Sequence, residues 1–335
     1  MRIAVDAMGS DHFPVPDVEG AVQAAREYGD NILLVGDEAV VRQELTKHET
    51  SGLKIDVIHA AHHITMHDKP SEVGRSKPES SVYVASKLVA DGRADAFVSV
   101  GNTGAILAIT LLGTLGRVPG VKRPCLSAIV SLDSRPVILL DIGANADCKP
   151  QWLLQFAVMG SIYAQSALGH KNPRLGLLSN GEEEGKGNDL IKEAGELIKK
   201  SSLNFVGNVE PKDVVHGAVD VMVSDGFVGN IFIKSLEAMG DLLFHLIRRE
   251  ARADMRSKAG AALLRPALRR VYKRVDPFEI GGAPLLGVNG VVIIGHGRTN
   301  ALGMKNAIRQ ARLAVAGGIV EKIRQDINGI NTEPE

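Results

Sequence analysis

The chain has 335 residues, 44% of them hydrophobic and 23% charged, with 39 Lys/Arg against 39 Asp/Glu. A neutral chain with 4% aromatics has neither the basic excess nor the stacking surface that nucleic-acid binding uses. Two cysteines, Cys125 and Cys148, rule out a disulfide framework and suit a reducing cytosol.

The N-terminus meets Asp6 too early for a signal-peptide core, and no run of about 18 apolar residues offers a membrane span. The expectation is a cytosolic protein that does not cross a membrane. Its length suits one large α/β domain or two smaller ones.

In chain order, short apolar runs predict strands at 3–5, 32–35, 55–58, 96–100, 126–130, 137–140, 175–178, 219–223 and 291–294. Amphipathic stretches between them predict helices at 17–28, 38–46, 80–90, 105–115, 152–168, 189–200 and 300–325. This βαβ rhythm implies a mostly parallel sheet covered on both faces, a three-layer α/β/α domain. With no repeat, low-complexity tract or Pro/Ser linker to divide it, residues 1–335 read as a single domain.

The strand ends carry the chemistry. Asp6 with Gly9, Asn102 with Thr103, and Asp141 with Asn145 each follow an apolar run, as do Asn180–Gly181, Asp225–Gly226 and His296. Parallel sheets bind ligands outside the carboxyl ends of their strands, so six such ends predict one polar cleft. At any single position the same residues also serve as turn formers and helix N-caps.

Residues 177–188, LLSNGEEEGKGN, are the sharpest of these turns. Lys186 stands between Gly185 and Gly187 just before a helix, where free N–H groups and the helix dipole favour an anion. The glutamates ahead of it leave another role open, a solvated lysine paired with Glu182 or Glu183. Asn230, in the first turn after Asp225–Gly226, could donate to a ligand or serve the turn. His296 could meet the ligand or stand behind it.

Sharper chemistries find less support. His59, His62, His63 and His67 lie in a polar connection with one nearby acid, Asp68, a poor metal set. Cys148 has no histidine close in sequence to activate it. No G-x-G-x-x-G with an acidic partner marks a dinucleotide site. No metal or cofactor is expected.

From Arg248 to Arg274 the chain carries ten Lys/Arg against Glu250 and Asp254. A helix starting near Phe227 is predicted to run to about Lys258, some ~45 Å, longer than the core needs. Residues 241–276 therefore predict a projecting helical hairpin. In its second arm Leu264, Leu268, Val271 and Val275 share a face, with Arg265, Arg269, Arg270, Lys273 and Arg274 elsewhere. Pro266 is tolerable if that helix starts there and would kink an earlier start. Such a basic amphipathic helix suits an anionic membrane surface or an acidic protein; packing on its partner helix or a second subunit is the plainer role.

The motifs together resemble a known family. IAVDAMGSD (3–11), SVGNTGA (99–105), LLDIGANADCKP (139–150), NGEEEGKGN (180–188), SDGFVGNIFIKSLE (224–237) and GGAPLLGVNGVVIIGHG (281–297) look like the bacterial acyl-ACP:phosphate acyltransferases, PlsX. Their order is the family's, end to end. One departure is Ser10, where the family usually has a second glycine, with a less usual His12 close by.

The resemblance implies a fold like that of isocitrate and isopropylmalate dehydrogenases and phosphate acetyltransferase. It also implies a homodimer, peripherally membrane-associated, that makes acyl phosphate from fatty acyl-ACP and inorganic phosphate for phospholipid synthesis. The downstream membrane glycerol-3-phosphate acyltransferase becomes a candidate partner. On this reading Lys186, Asn230 and His296 are the catalytic candidates. Phosphate and substrate fall to Asp6, Gly9, Asn102, Thr103, Asp141, Asn145, Asn180, Gly181, Gly185, Gly187, Asp225 and Gly226. An acyl-CoA-using phosphotransacylase and a non-catalytic membrane-docked module are the alternatives.

Overall fold

The apolar runs are short and unbroken because both faces of their sheet are covered. In a computed structural model that describes residues 1–131 and 135–330, the chain opens with β1 (Arg2–Asp6), α1 (Val15–Tyr28), β2 (Asn31–Gly36), α2 (Glu38–Leu45) and β3 (Ile55–His59). It continues through α3 (Pro70–Ser76), α4 (Ser81–Ala90), β4 (Ala96–Ser99) and α5 (Thr103–Ile109), which passes into a π-helical turn, Thr110–Thr114. The middle holds β5 (Cys125–Ser131), β6 (Pro136–Leu140), α6 (Pro150–Leu168), β7 (Leu175–Leu178) and α7 (Asp189–Lys199).

Then come β8 (Phe205–Val209), α8 (Pro211–Val215), β9 (Val221–Val223), α9 (Gly226–Glu250) and α10 (Met255–Val275). The chain closes with α11 (Pro277–Ile280), β10 (Gly282–Leu286), β11 (Val291–Gly295), α12 (Ala301–Ala316) and α13 (Ile319–Ile330).

Successive side chains of β1 point to opposite cores. Ile3 and Val5 join one apolar cluster with α1, α6, α7, α12 and α13, while Ala4 joins another with α4, α5 and Phe232 of α9. This is the three-layer α/β/α arrangement read from the βαβ rhythm.

The strands form one 11-stranded sheet in the order β3-β2-β1-β4-β11-β10-β5-β6-β9-β7-β8. Its two ends are parallel blocks: β3, β2, β1, β4 and β11 on one side, and β6, β9, β7 and β8 on the other. Three antiparallel joints, β11/β10, β10/β5 and β5/β6, lie between them. An odd number of reversals means the blocks run in opposite senses. The six predicted strand ends therefore leave the sheet as two groups of three, not from one edge.

Other departures from the sequence expectations are local. The predicted helix over 300–325 is two helices, because Gly318 takes a left-handed φ of 61° after α12. Strands β8 and β10 went unpredicted; FVGNV and GAPLL carry glycine or proline and too little apolar periodicity. The helix expected to reach Lys258 ends at Glu250, since Asp254 accepts the Ser257 N–H at 2.8 Å and starts α10 anew. Gly260 and Pro266 consequently lie inside α10.

Candidate functional site

Three strand ends of the first block meet around Asp6. Its buried carboxylate accepts the Met8 N–H at 3.1 Å and the Ser99 hydroxyl at 2.7 Å, tying the β1 turn to the end of β4. Burial raises the Asp6 pKa, against the pull of the Ser99 and Ser81 hydroxyls. Gly9 is required here: a Cβ would stand 2.8 Å from Asp6 Oδ2 and 3.1 Å from the Gly101 nitrogen. The β11 turn closes on the same loop through Asp11 N–H, which donates to Gly297 O at 2.8 Å.

Asn102 is spent within this group. Its Oδ1 caps α5 through Ala105 N–H, and its Nδ2 donates to the carbonyls of Thr65, Met66 and Asp68. It fixes the 65–68 segment beside the site, and Thr103 opens α5 next to it. His296 is half-buried, and its Nδ1 accepts the Arg298 N–H at 3.3 Å. That acceptor role assigns the proton of the neutral ring to Nε2. Burial, then the Lys234 and Arg298 cations, hold His296 below its ordinary pKa.

The second group is built on Asp141. Its carboxylate accepts backbone N–H groups from Leu126, Gly143, Ala144 and Asn145, and the Asn145 Nδ2 as well. Burial pushes its pKa up against these donors. Asn145 Nδ2 also reaches Pro124 O at 2.7 Å. Asp141 and Asn145, assigned to phosphate and substrate in the sequence, thus use these groups to shape the turn.

Helix α9 is pressed onto this turn. Asp225 caps it by accepting Val228 N–H at 2.8 Å, and Gly226 N–H donates to Asn145 O at 2.7 Å. A Cβ on Gly226 would lie 2.6 Å from Asn145 O, and one on Gly229 only 2.0 Å from Asp141 O. Asn230 Nδ2 donates to Ile142 O at 2.8 Å, which locks the amide against Gly143.

The third turn of this block carries Lys186. Glu182 pairs with Lys212, and Glu184 with Lys199, so these two glutamates are engaged away from Lys186. The Glu183 carboxylate and the Lys186 stem both lie over Gly181. Two N–H groups expected to be free are used internally: Lys186 N–H donates to Glu183 O, and Gly187 N–H to Asn180 Oδ1. Asn180 therefore organises the loop. Gly187 holds a φ of 91°, which favours glycine, while Gly185 is exposed with open space where a Cβ would go. The Lys186 side chain is exposed.

Lys234 was missed in the sequence. It lies four residues after Asn230, hence on the same face of α9, and its charge acts on His296. Helix α9 thus carries Asn230 against the Asp141 turn and, one turn on, a Lys234–Glu237 pair (3.4 Å) whose opposite charges both act on His296. The i, i+4 spacing was readable; which strand end it faces was not.

Cys148 is half-buried, its Sγ 3.6 Å from Asn145 O, and burial pushes its thiol up to about 12. That environment opposes a nucleophilic thiolate. Among the described residues no group of three or more His, Cys, Asp or Glu is placed to hold a metal ion.

The hairpin is largely outside the core. Only Gly226, Gly229 and Phe232 of α9 are buried, and none of the described α10 side chains. Leu264 and Val271 are 58% and 53% exposed, Arg265, Arg269, Arg270, Lys273 and Arg274 are exposed, and Leu268 is half-buried. The Val275 side chain lies outside the described residues. Phe244 and Tyr272 join the two arms edge-to-face at 5.1 Å. No helix among the described residues is long and apolar enough to cross a membrane.

A family model described as "Fatty acid synthesis protein" matches residues 1–322. The chain is 46% identical to a phosphate acyltransferase of Trichlorobacter lovleyi, over 98% of this chain and 95% of the relative. It is 44% identical to one of Clostridioides difficile, over 99% and 98%. In fold it is similar to a phosphotransacetylase from Streptococcus pyogenes, with a TM-score of 0.61 at 17% identity over 96% of this chain and 94% of that one. A branched-chain phosphotransacylase from Enterococcus faecalis gives a TM-score of 0.57 at 16% identity, over 94% and 99%.

Proposed function

The chain belongs to the phosphate acyltransferase family, PlsX, and is an acyltransferase of fatty-acid and phospholipid synthesis; from that premise we propose that its acyl donor is a long-chain acyl-ACP. Phosphate, already anionic at neutral pH, attacks the thioester carbonyl directly, giving acyl phosphate and the carrier thiol. Little is asked of a general base. Holding phosphate close and meeting the developing oxyanion are the larger tasks, and one lost oxyanion donor costs ~100-fold or more.

Lys186 holds phosphate and polarises the carbonyl, Asn230 donates from the first turn of α9, and neutral His296 donates an Nε2–H hydrogen bond to the departing sulfur, which takes up the proton released by the attacking hydrogen phosphate. The remaining strand-end residues, Asp6 through Gly226, shape the phosphate and thioester seats. The observation that carries this reading is α9 itself, pinned by Gly226 and Gly229 to the Asp141 turn while Lys234 acts on His296.

The protein works as a cytoplasmic homodimer, peripherally bound to an anionic membrane through the exposed stripe and basic flank of α10. That position would deliver acyl phosphate to a membrane glycerol-3-phosphate acyltransferase. Leu264→Glu with Leu268→Glu should abolish sedimentation with anionic liposomes at unchanged fold; undiminished sedimentation overturns the membrane role. Incubation with acyl-ACP or acyl-CoA, with and without phosphate, tests the reaction by hydroxylamine-reactive product. Phosphate-dependent product from acyl-ACP supports the proposal. Product from acyl-CoA alone favours the soluble phosphotransacylase, and none from either favours a binding module.

A further inference from the structure

A second surface lies beside the Asp141 turn. A groove of ≈1660 Å³ runs between the π-helical turn, the 117–124 connection, the first turns of α6, the end of α7 and the end of α13. Small-molecule pockets occupy roughly 300–1,000 Å³. Three turns of an α-helix, about 16 Å long and 10 Å across, fill roughly 1,300 Å³. The groove is of the size of a protein element.

Its lining has one sign. Arg117, Lys122, Arg123, Lys149 and Lys200 contribute cations, and Asp326 is the one acid among the lining residues. The cations stand over apolar surface that includes Leu112, Trp152, Leu154 and Leu203. Leu112 is 90% exposed on the π-helical turn, a distortion frequent at functional sites. Arg123 is already ordered, with its guanidinium 4.9 Å from the Trp152 ring, and Arg117 donates to Lys122 O. Pre-ordered cations over an apolar floor match a helix with an acidic flank and an apolar stripe.

The groove also adjoins the Asp141 turn. Pro124, in its wall, accepts the Asn145 amide, and Lys149 at its mouth follows the Asp141–Asn145 turn directly. We infer that this groove docks the acidic carrier protein that presents the acyl thioester, leaving the α10 hairpin to lipid. The inference rests on the acyl-ACP reading above and adds the surface where the donor sits. Rim charges of this kind act on encounter and salt dependence more than on chemistry.

The test is acyl phosphate formation by the full-length protein carrying Arg123→Glu, Lys149→Glu and Lys200→Glu, all exposed positions. The KM for acyl-carrier protein should rise tenfold or more with kcat within twofold, and the salt dependence of kcat/KM should flatten. A second variant, Arg269→Glu with Arg270→Glu on the hairpin, should leave that KM unchanged. An unchanged KM in the groove variant, or a rise confined to the hairpin variant, overturns the docking assignment alone. If wild-type protein makes no product from the carrier-bound donor but does from acyl-CoA, the functional reading falls and the docking with it. If the groove variant instead turns a dimer into monomers by sedimentation, the groove is a subunit interface and the assignment is overturned.

Discussion

Replacing Gly229 by alanine tests whether the packing of α9 on the Asp141 turn sets up the site. The new Cβ would stand 2.0 Å from Asp141 O and 2.7 Å from Ser224 Oγ. Even a tight non-bonded contact needs about 3.0 Å, so the start of α9 must retreat by about 1 Å. A carbonyl held by its own turn cannot yield as a flexible side chain would. That retreat would carry Asn230 away from Ile142 O, now 2.8 Å from its amide.

A displacement of about 1 Å in a site is worth on the order of 100-fold in rate, and overpacking costs about 1–3 kcal/mol of stability. For 335 residues the unfolding entropy is about 0.7 kcal/mol/K, so the melting temperature should fall by about 1.5–4 °C. Gly240 lies on the same helix with open space at its Cβ position. Gly240→Ala should therefore be neutral or stabilising, by up to about 1 kcal/mol. The assay is kcat/KM for phosphate-dependent acyl phosphate formation beside a thermal melt. Full activity in Gly229→Ala with an unchanged melt would refute the reasoning.

Lys186→Ala removes an exposed side chain; turnover should drop ~100-fold or more at an unchanged melting temperature, and retained turnover would remove Lys186 from the mechanism. Burial pushes the Asp17 carboxyl up to about 8 from its ordinary 3.8. The folded chain therefore keeps a proton that the unfolded chain loses: this contribution is full below pH ~4 and is lost as pH rises toward ~8. In chemical denaturation across pH 5–8, Asp17→Asn should remove up to about 1.4 kcal/mol per pH unit of that decline, and parallel slopes would contradict it. Because His296 titrates below its ordinary 6.5, its ring stays neutral from pH 6.5 to 8, and the ratio of wild-type to His296→Gln kcat/KM should be constant there. That ratio should change only on the acid side, where a second proton displaces the Arg298 N–H from Nδ1. A ratio that stays constant on the acid side as well would exclude the histidine.

Motif chemistry was legible wherever it is local. Asp225, Asn188 and Asn300 each cap the helix that follows, with side chains accepting from backbone N–H groups within three residues. The organising role of Asp141 is equally local, since all but one of its donors lie within four residues. By contrast, Asn102 seemed available for ligand until its amide was found holding a segment some 34 to 37 residues away. Of the two glutamates that could pair with Lys186, Glu182 instead reaches Lys212, while Glu183 stays with the Lys186 stem over Gly181.

By itself, the sequence determined most of the strands and helices, the three-layer class and the strand-end turns where chemistry gathers, because periodicity, capping and glycine turns are short-range properties. It also carried the motifs that mark the family. Only the tertiary structure decided that the sheet reverses between its two blocks, since strand order and sense depend on pairings such as Ser127 with Leu140 and Leu285 with Leu126. The same long-range packing puts Lys234 beside His296 and sets a cationic groove against the Asp141 turn. No window of sequence contains those contacts, because each joins elements that only the folded sheet brings together.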